Sequence, residues 1–147
     1  MKNEKTVSVR LKMMGLWITL MLLYIYCDIY SFFRTGLLED ISAGKIGLFD
    51  VSQGMLAVMG VLMIIPALMV SVCLFLKEKA AKWFSVAVGI LYILVNVGNL
   101  VGEAWVYYWI FGITELAVTI GIVVFALKWK TKDLANEREH HYNSHKD

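Results

Sequence analysis

Two carboxylic acids stand where a carboxylate is expensive. Glu115 is the one charged residue between Val106 and Leu127, and Asp28 is the one charged residue in an apolar run over residues 13–33. Placing an acid at the centre of a membrane span costs about 2.5–3.5 kcal/mol or more, so such residues face protein or water and mark proton, ion or ligand sites. Other polar residues repeat at helical spacing. Tyr92, Asn96, Asn99 and Glu103 follow steps of four, three and four and line one helix face; Tyr24 and Asp28 share another, and Tyr108, Gly112, Glu115 and Thr119 a third. The apolar runs hold no Ser-His pair, no CxxC and no set of metal ligands. The chemistry these residues suit is hydrogen bonding to a small molecule or relay of a proton. No enzyme activity, cofactor or metal is expected.

The elements that must hold these groups follow from composition. The chain has 147 residues, 59% hydrophobic and 18% charged, with a mean hydropathy of +0.66. A soluble domain carries nearer a quarter charged residues, and here the charges are bunched between long apolar runs. The expected fold is all-α, a four-helix transmembrane bundle with spans at about 13–33, 54–76, 83–101 and 106–127 in a membrane domain of residues 13–130. Residues 1–12 form a basic segment before it, and 131–147 a charged tail. The first run is too long for a signal peptide and is followed by no small-x-small cleavage site, so it is read as a retained span. The loop over 34–53 carries Gly36, Gly44 and Gly47, and Leu37, Leu38 and Ile41 are spaced for a short interfacial helix. A net charge of +2 with no basic stripe excludes nucleic acid as a partner.

Lysine and arginine counts orient the spans. The N-terminal segment, the 77–82 turn and the tail carry four, three and five; the other two loops carry two and none. The twelve-to-two split puts both termini in the cytoplasm of a cell membrane. Trp105, Tyr107, Tyr108 and Trp109 then form an outer aromatic belt, and Trp17, Trp83 and Trp129 mark the inner face. At about 1.5 Å per residue, Glu115 lies about 13 Å below the outer face. Tyr24 and Tyr92 are level with it, Asp28 and Asn96 lie somewhat higher, and Asn99 is shallower. Lipid satisfies none of these groups, so the three stripes are expected to converge on a pocket in the outer half. Pro66 bonds to no carbonyl four residues back, which frees the Leu62 carbonyl at the same depth and marks a kink. A neutral Glu115 would donate to it. Asn96 or Asn99 taken alone reads sooner as helix-to-helix glue; Asp28 alone also reads as reaching interfacial water or pairing with Arg34. Gly98-x-x-x-Gly102 reads as an internal close contact. His140, His141 and His145 read as a solvated tail. Cys27 and Cys73 fall at depths too different for a disulfide.

The residues also carry a resemblance. Cys27-Asp28-Ile29-Tyr30-Ser31, Gly36 to Ile41 with Gly44, Gln53-Gly54, Ile65 to Val70, Tyr107-Tyr108, Thr114-Glu115-Leu116 and Ala126 to Trp129 together resemble small bacterial four-helix membrane proteins known only as a domain of unknown function. The likeness runs from Leu11 to Trp129. Members often carry a Glu just before the Ile-Pro, where this chain has Ile64. The resemblance implies a bacterial inner membrane and carries no activity over to this chain. A looser architectural likeness is to DoxX-like proteins.

The reading is therefore a non-enzymatic membrane protein. Asp28, Tyr92, Asn96 and Glu115, with Tyr24 and Asn99 secondary, would hold a small molecule, lipid or proton. The alternative is an accessory or structural subunit packed against a larger membrane partner or a second copy of itself.

Overall fold

The computed structural model describes residues 8–46 and 49–130. The expectations for the first seven residues and for the tail from 131, with His140, His141 and His145, lie outside the described residues. Four helices of 23 residues each, α1 (Val9–Ser31), α3 (Gln53–Phe75), α4 (Glu78–Leu100) and α5 (Val106–Lys128), are long and apolar enough to cross a membrane. A helix of that length spans about 34 Å, matching a hydrocarbon core of about 30 Å. Between α1 and α3 lie the short helix α2 (Leu37–Ser42) and a hairpin of β1 (Lys45–Ile46) and β2 (Phe49–Asp50), paired antiparallel. The spacing of Leu37, Leu38 and Ile41 gave α2 away. Strands of two residues each leave no alternation to read, so the sequence signals only a loop there.

Helix starts are set by local chemistry. Ser8 and Ser52 accept from the backbone N–H of Leu11 and Met55, the usual closure of a first turn. α4 begins at Glu78, five residues before the apolar run at Trp83. Charge marks the end of a hydrophobic run but does not stop a helix, and Glu78 sits favourably at the positive end of the helix dipole. Gly102, with φ of +81°, makes the tight turn into α5.

The helices form a ring. α1 packs against α3 and α5, and α4 packs against α5 and α3, which leaves α1 and α4 on a diagonal. Three helices bury stripes with steps of three and four: Met13, Trp17, Leu20, Tyr24 and Cys27 on α1; Lys82, Ser85, Gly89, Tyr92 and Asn96 on α4; Gly112, Glu115, Thr119, Ile122 and Ala126 on α5. This is the seam of a left-handed bundle. α3 differs. Its buried residues are Pro66, Met69 and Cys73, all in its second half. Towards its N-terminus Val58, Val61 and Ile64 are exposed.

The close approach of α4 and α5 depends on Gly89 and Gly112. A Cβ at either would fall 2.6 Å from Val123 Cγ2 or 2.5 Å from Leu100 Cδ2. The expected contact at Gly98 is corrected: a Cβ there meets nothing within 4 Å.

The two ends of the bundle are built differently. At the end with the α3–α4 turn, here the basic end, the Arg10 guanidinium donates to the Leu74 carbonyl at 2.9 Å, and the Lys82 ammonium donates to the Trp129 carbonyl at 2.9 Å. Each cation closes the C-terminal end of a helix from a neighbouring one, where the dipole is negative. Lys82 is buried, not the solvated turn residue its neighbours suggest. Trp17 is likewise no interfacial marker. It is fully buried, edge-on to Tyr92 with ring centroids 6.5 Å apart. At the opposite end, here the loop end, Arg34 pairs with Glu103 at 3.0 Å and lies over the Trp105 ring. Glu103 also accepts from the backbone N–H of Ala104 and Trp105 at the start of α5.

Candidate functional site

In the loop-end half of the bundle a cavity of about 180 Å³ lies among all four long helices. α1 contributes Tyr24, Cys27 and Asp28; α3 contributes Met59, Leu62 and Met63; α4 contributes Tyr92, Val95 and Asn99; α5 contributes Tyr108 and Glu115. It exists because α3 packs inward only from Pro66 onward.

Glu115 is 5% exposed, and its Oε1 has no hydrogen-bond partner among the described residues. The stripe spacing turns it inward: Gly112, Glu115 and Thr119 follow steps of three and four. A buried polar atom without a partner carries a desolvation cost of about 1–3 kcal/mol, and native folds hold few of them. Asp28 lines the same cavity from an exposed position one residue beyond the buried stripe of α1. Arg34 is paired with Glu103, so the pairing of Asp28 with Arg34 is replaced.

A polar network fixes the walls. The Tyr24 hydroxyl donates to Asn96 Oδ1 at 2.6 Å, across the α1–α4 diagonal. Asn96 Nδ2 donates to Thr119 Oγ1 at 3.1 Å, and Thr119 Oγ1 donates to the Glu115 carbonyl at 2.6 Å. The Tyr92 hydroxyl donates to the Leu62 carbonyl. This last bond revises the expectation that Glu115 takes that carbonyl. Pro66 does free it, and Tyr92 reaches it first, so the acid is left without that partner.

The placement of the expected residues is uneven. Tyr24, Asp28, Tyr92, Asn99 and Glu115 all line the cavity. Asn96 does not. It is 1% exposed, with both ends of its amide bonded to protein, so it braces the wall behind the cavity. Asn99 is exposed because the buried stripe steps from Asn96 to Leu100, not to Asn99. Met59 and Met63 were not singled out from the sequence. Their spacing of four on the loop-end half of α3 was the available signal, and Met is common on adaptable binding surfaces.

The protein-family comparison fits this architecture. A family model matches residues 3–136, nearly the whole chain. The chain belongs to DUF6326, a family of unknown function. The DUF6326 match covers all four long helices and every residue that lines the cavity. No curated protein and no solved structure matches the chain.

Proposed function

We propose that this DUF6326 member is a non-enzymatic protein of a bacterial inner membrane whose cavity binds a small molecule on Glu115. The observation that carries the reading is the buried, unpartnered Glu115 oxygen at a cavity. Asn96 and Thr119, which join helices, have partners. The other buried side-chain atom without one among the described residues is the Trp17 indole N–H, a weaker and uncharged group. Glu115 is held ready for a group that the described residues do not supply. Asp28 stands at the mouth, and Tyr24 and Tyr92 form the walls.

The basic end is proposed to face the cytoplasm, with both termini there, and the cavity to open in the outer leaflet half. Single cysteines at Ser42 and Ser144, in a chain lacking Cys27 and Cys73, test the orientation. An impermeant thiol reagent on intact cells is expected to label position 42 and spare 144. The opposite pattern reverses the bundle.

Without a bound ligand, Glu115 is proposed to stand as a neutral acid, since the cavity lining includes no Lys, Arg or His to pair with it. Infrared spectra at neutral pH should contain a carboxylic acid band that is absent from Glu115→Gln. A carboxylate band assigned to Glu115 would redraw the cavity as water-filled.

A second reading is that of an accessory subunit. The observation favouring it is α3, the most apolar of the four long helices and the least buried, with 17% of its most apolar window covered. Co-purification of a stoichiometric membrane partner would favour this reading. Thermal stabilisation of the lone protein by a small molecule would favour the cavity.

A further inference from the structure

We infer that the cavity is a site for a small organic cation, an ammonium seated on Glu115. The inference rests on the reading of Glu115 as a ligand-binding acid and adds what the ligand must be.

The lining is matched to a donor. Glu115 and Asp28 contribute carboxyl groups, and no lining residue is Lys, Arg or His. The two deep tyrosines have already placed their protons: Tyr24 donates to Asn96, and Tyr92 donates to the Leu62 carbonyl. What their oxygens still offer is lone pairs. The Asn96 donor group is likewise taken by Thr119. The deep part of the cavity is therefore short of donors and rich in acceptors. An ammonium group has three donors and no acceptor, the complement of this lining. An anion would meet two acids and no cation. A neutral acceptor such as a ketone would find, in that deep part, a neutral Glu115 to bond. The other donors of the lining are the Cys27 thiol, the Asn99 amide and the Tyr108 hydroxyl, none of which carries the charge that an acid selects for.

Two further features agree. The faces of Tyr24, Tyr92 and Tyr108 are suited to cations through their ring quadrupoles. Met59 and Met63 supply polarisable, adaptable packing for the apolar remainder of the ligand. Size narrows the class. An apolar protein cavity of about 150 Å³ holds benzene, so one of about 180 Å³ takes a monoamine of roughly benzylamine size.

Charge balance fixes the accompanying step. The ammonium enters as R–NH3⁺, the Glu115 carboxylic acid releases its proton to water, and the carboxylate stays as counter-ion. No covalent bond forms other than that of the departing proton to water, and the net charge of the site is unchanged. The other titratable groups facing the cavity are Tyr24, Cys27 and Asp28 from α1, Tyr92 from α4 and Tyr108 from α5; α3 contributes none.

Titration calorimetry on the full chain in detergent tests this with three probes of one shape: benzylammonium, benzyl alcohol and benzoate. Run in two buffers of different ionisation enthalpy, it also counts protons. Benzylammonium is expected to bind at least about tenfold tighter than benzyl alcohol, with release of about one proton, and benzoate weakest of the three. Glu115→Gln should lose about 10- to 100-fold in amine affinity, along with the proton release, while unfolding in detergent at a temperature close to that of the parent. That unchanged unfolding reports an intact bundle. If the alcohol or benzoate binds as well as the amine, the cation assignment is overturned and the ligand-binding reading stands. Amine binding that survives Glu115→Gln also overturns the assignment. If none of the three probes binds, the assignment and the reading beneath it both fall.

Discussion

At the basic end of the bundle, polar groups that enter the protein are met: Lys82 by the Trp129 carbonyl, Arg10 by the Leu74 carbonyl, and Ser85 by the Cys73 sulfur at 3.7 Å. At the loop end, a carboxyl oxygen of Glu115 is buried and unmet, and α3 contributes no buried residue before Pro66. Trp17 Nε1 is the exception in the basic half: it is buried against Tyr92 and also unpartnered. The contrast assigns the halves different work. Close packing around Met13, Trp17, Met69, Cys73 and Ile122 holds the helices together. The other half keeps space and unsatisfied polarity, which weaken a fold unless they serve a ligand.

The comparison is easiest to break at its extremes. Trp17→Ala should destabilise the protein by about 3–5 kcal/mol, as for a large buried aromatic, read by unfolding in detergent. Met59→Ala, at a partly exposed position on the cavity rim, should cost less than about 1 kcal/mol. Equal losses would mean that the halves are not distinct.

A middle-sized effect sharpens the boundary between brace and site. Tyr92→Phe leaves the Leu62 carbonyl without its donor and should cost about 1–3 kcal/mol. Asn96→Leu strands the Tyr24 hydroxyl and takes from Thr119 the bond it accepts, leaving the one it donates to the Glu115 carbonyl, and belongs in the same range. A double-mutant cycle of Tyr24→Phe with Asn96→Leu should give a coupling of about 0.5–3 kcal/mol. Strict additivity would show that the diagonal bond contributes nothing.

The smallest effects carry the opposite sign or none. Glu115→Leu removes an unmet buried acid and should stabilise the protein by about 1 kcal/mol, the pattern of a residue kept for function. Asp28→Asn, at an exposed position, should change stability by under about 0.5 kcal/mol. A loss on Glu115→Leu comparable to that of Tyr92→Phe would make Glu115 part of the frame.

The spans were legible because long apolar runs have one structural outcome, and helical spacing alone turned Tyr24, Tyr92 and Glu115 towards a common interior. Depth matching brought them to one level. What spacing could not rank was competition for partners. Tyr92 and Glu115 were both within reach of the carbonyl freed by Pro66, and reach along a helix does not say which arrives. The roles of Lys82 and Trp17 were hidden for a related reason. Membrane-edge residue types were read as edge markers, whereas the helices continue past the apolar runs and draw both side chains into the protein. Gly98 illustrates the limit of motif reading: the spacing is there, but the face it occupies meets no helix.

The closures at Arg10 and Lys82 tie biogenesis to architecture. Under the orientation proposed above, cations near span ends settle the direction of an inserting chain, and these two also seal carbonyls at the ends of α3 and α5 in the assembled bundle. Neutralising either one removes a vote on direction and a lock on the finished bundle together. A chain threaded the wrong way round would place both charges in the same helical ends, so its locks would still close, and it would persist as a well-folded population rather than be cleared as a damaged one.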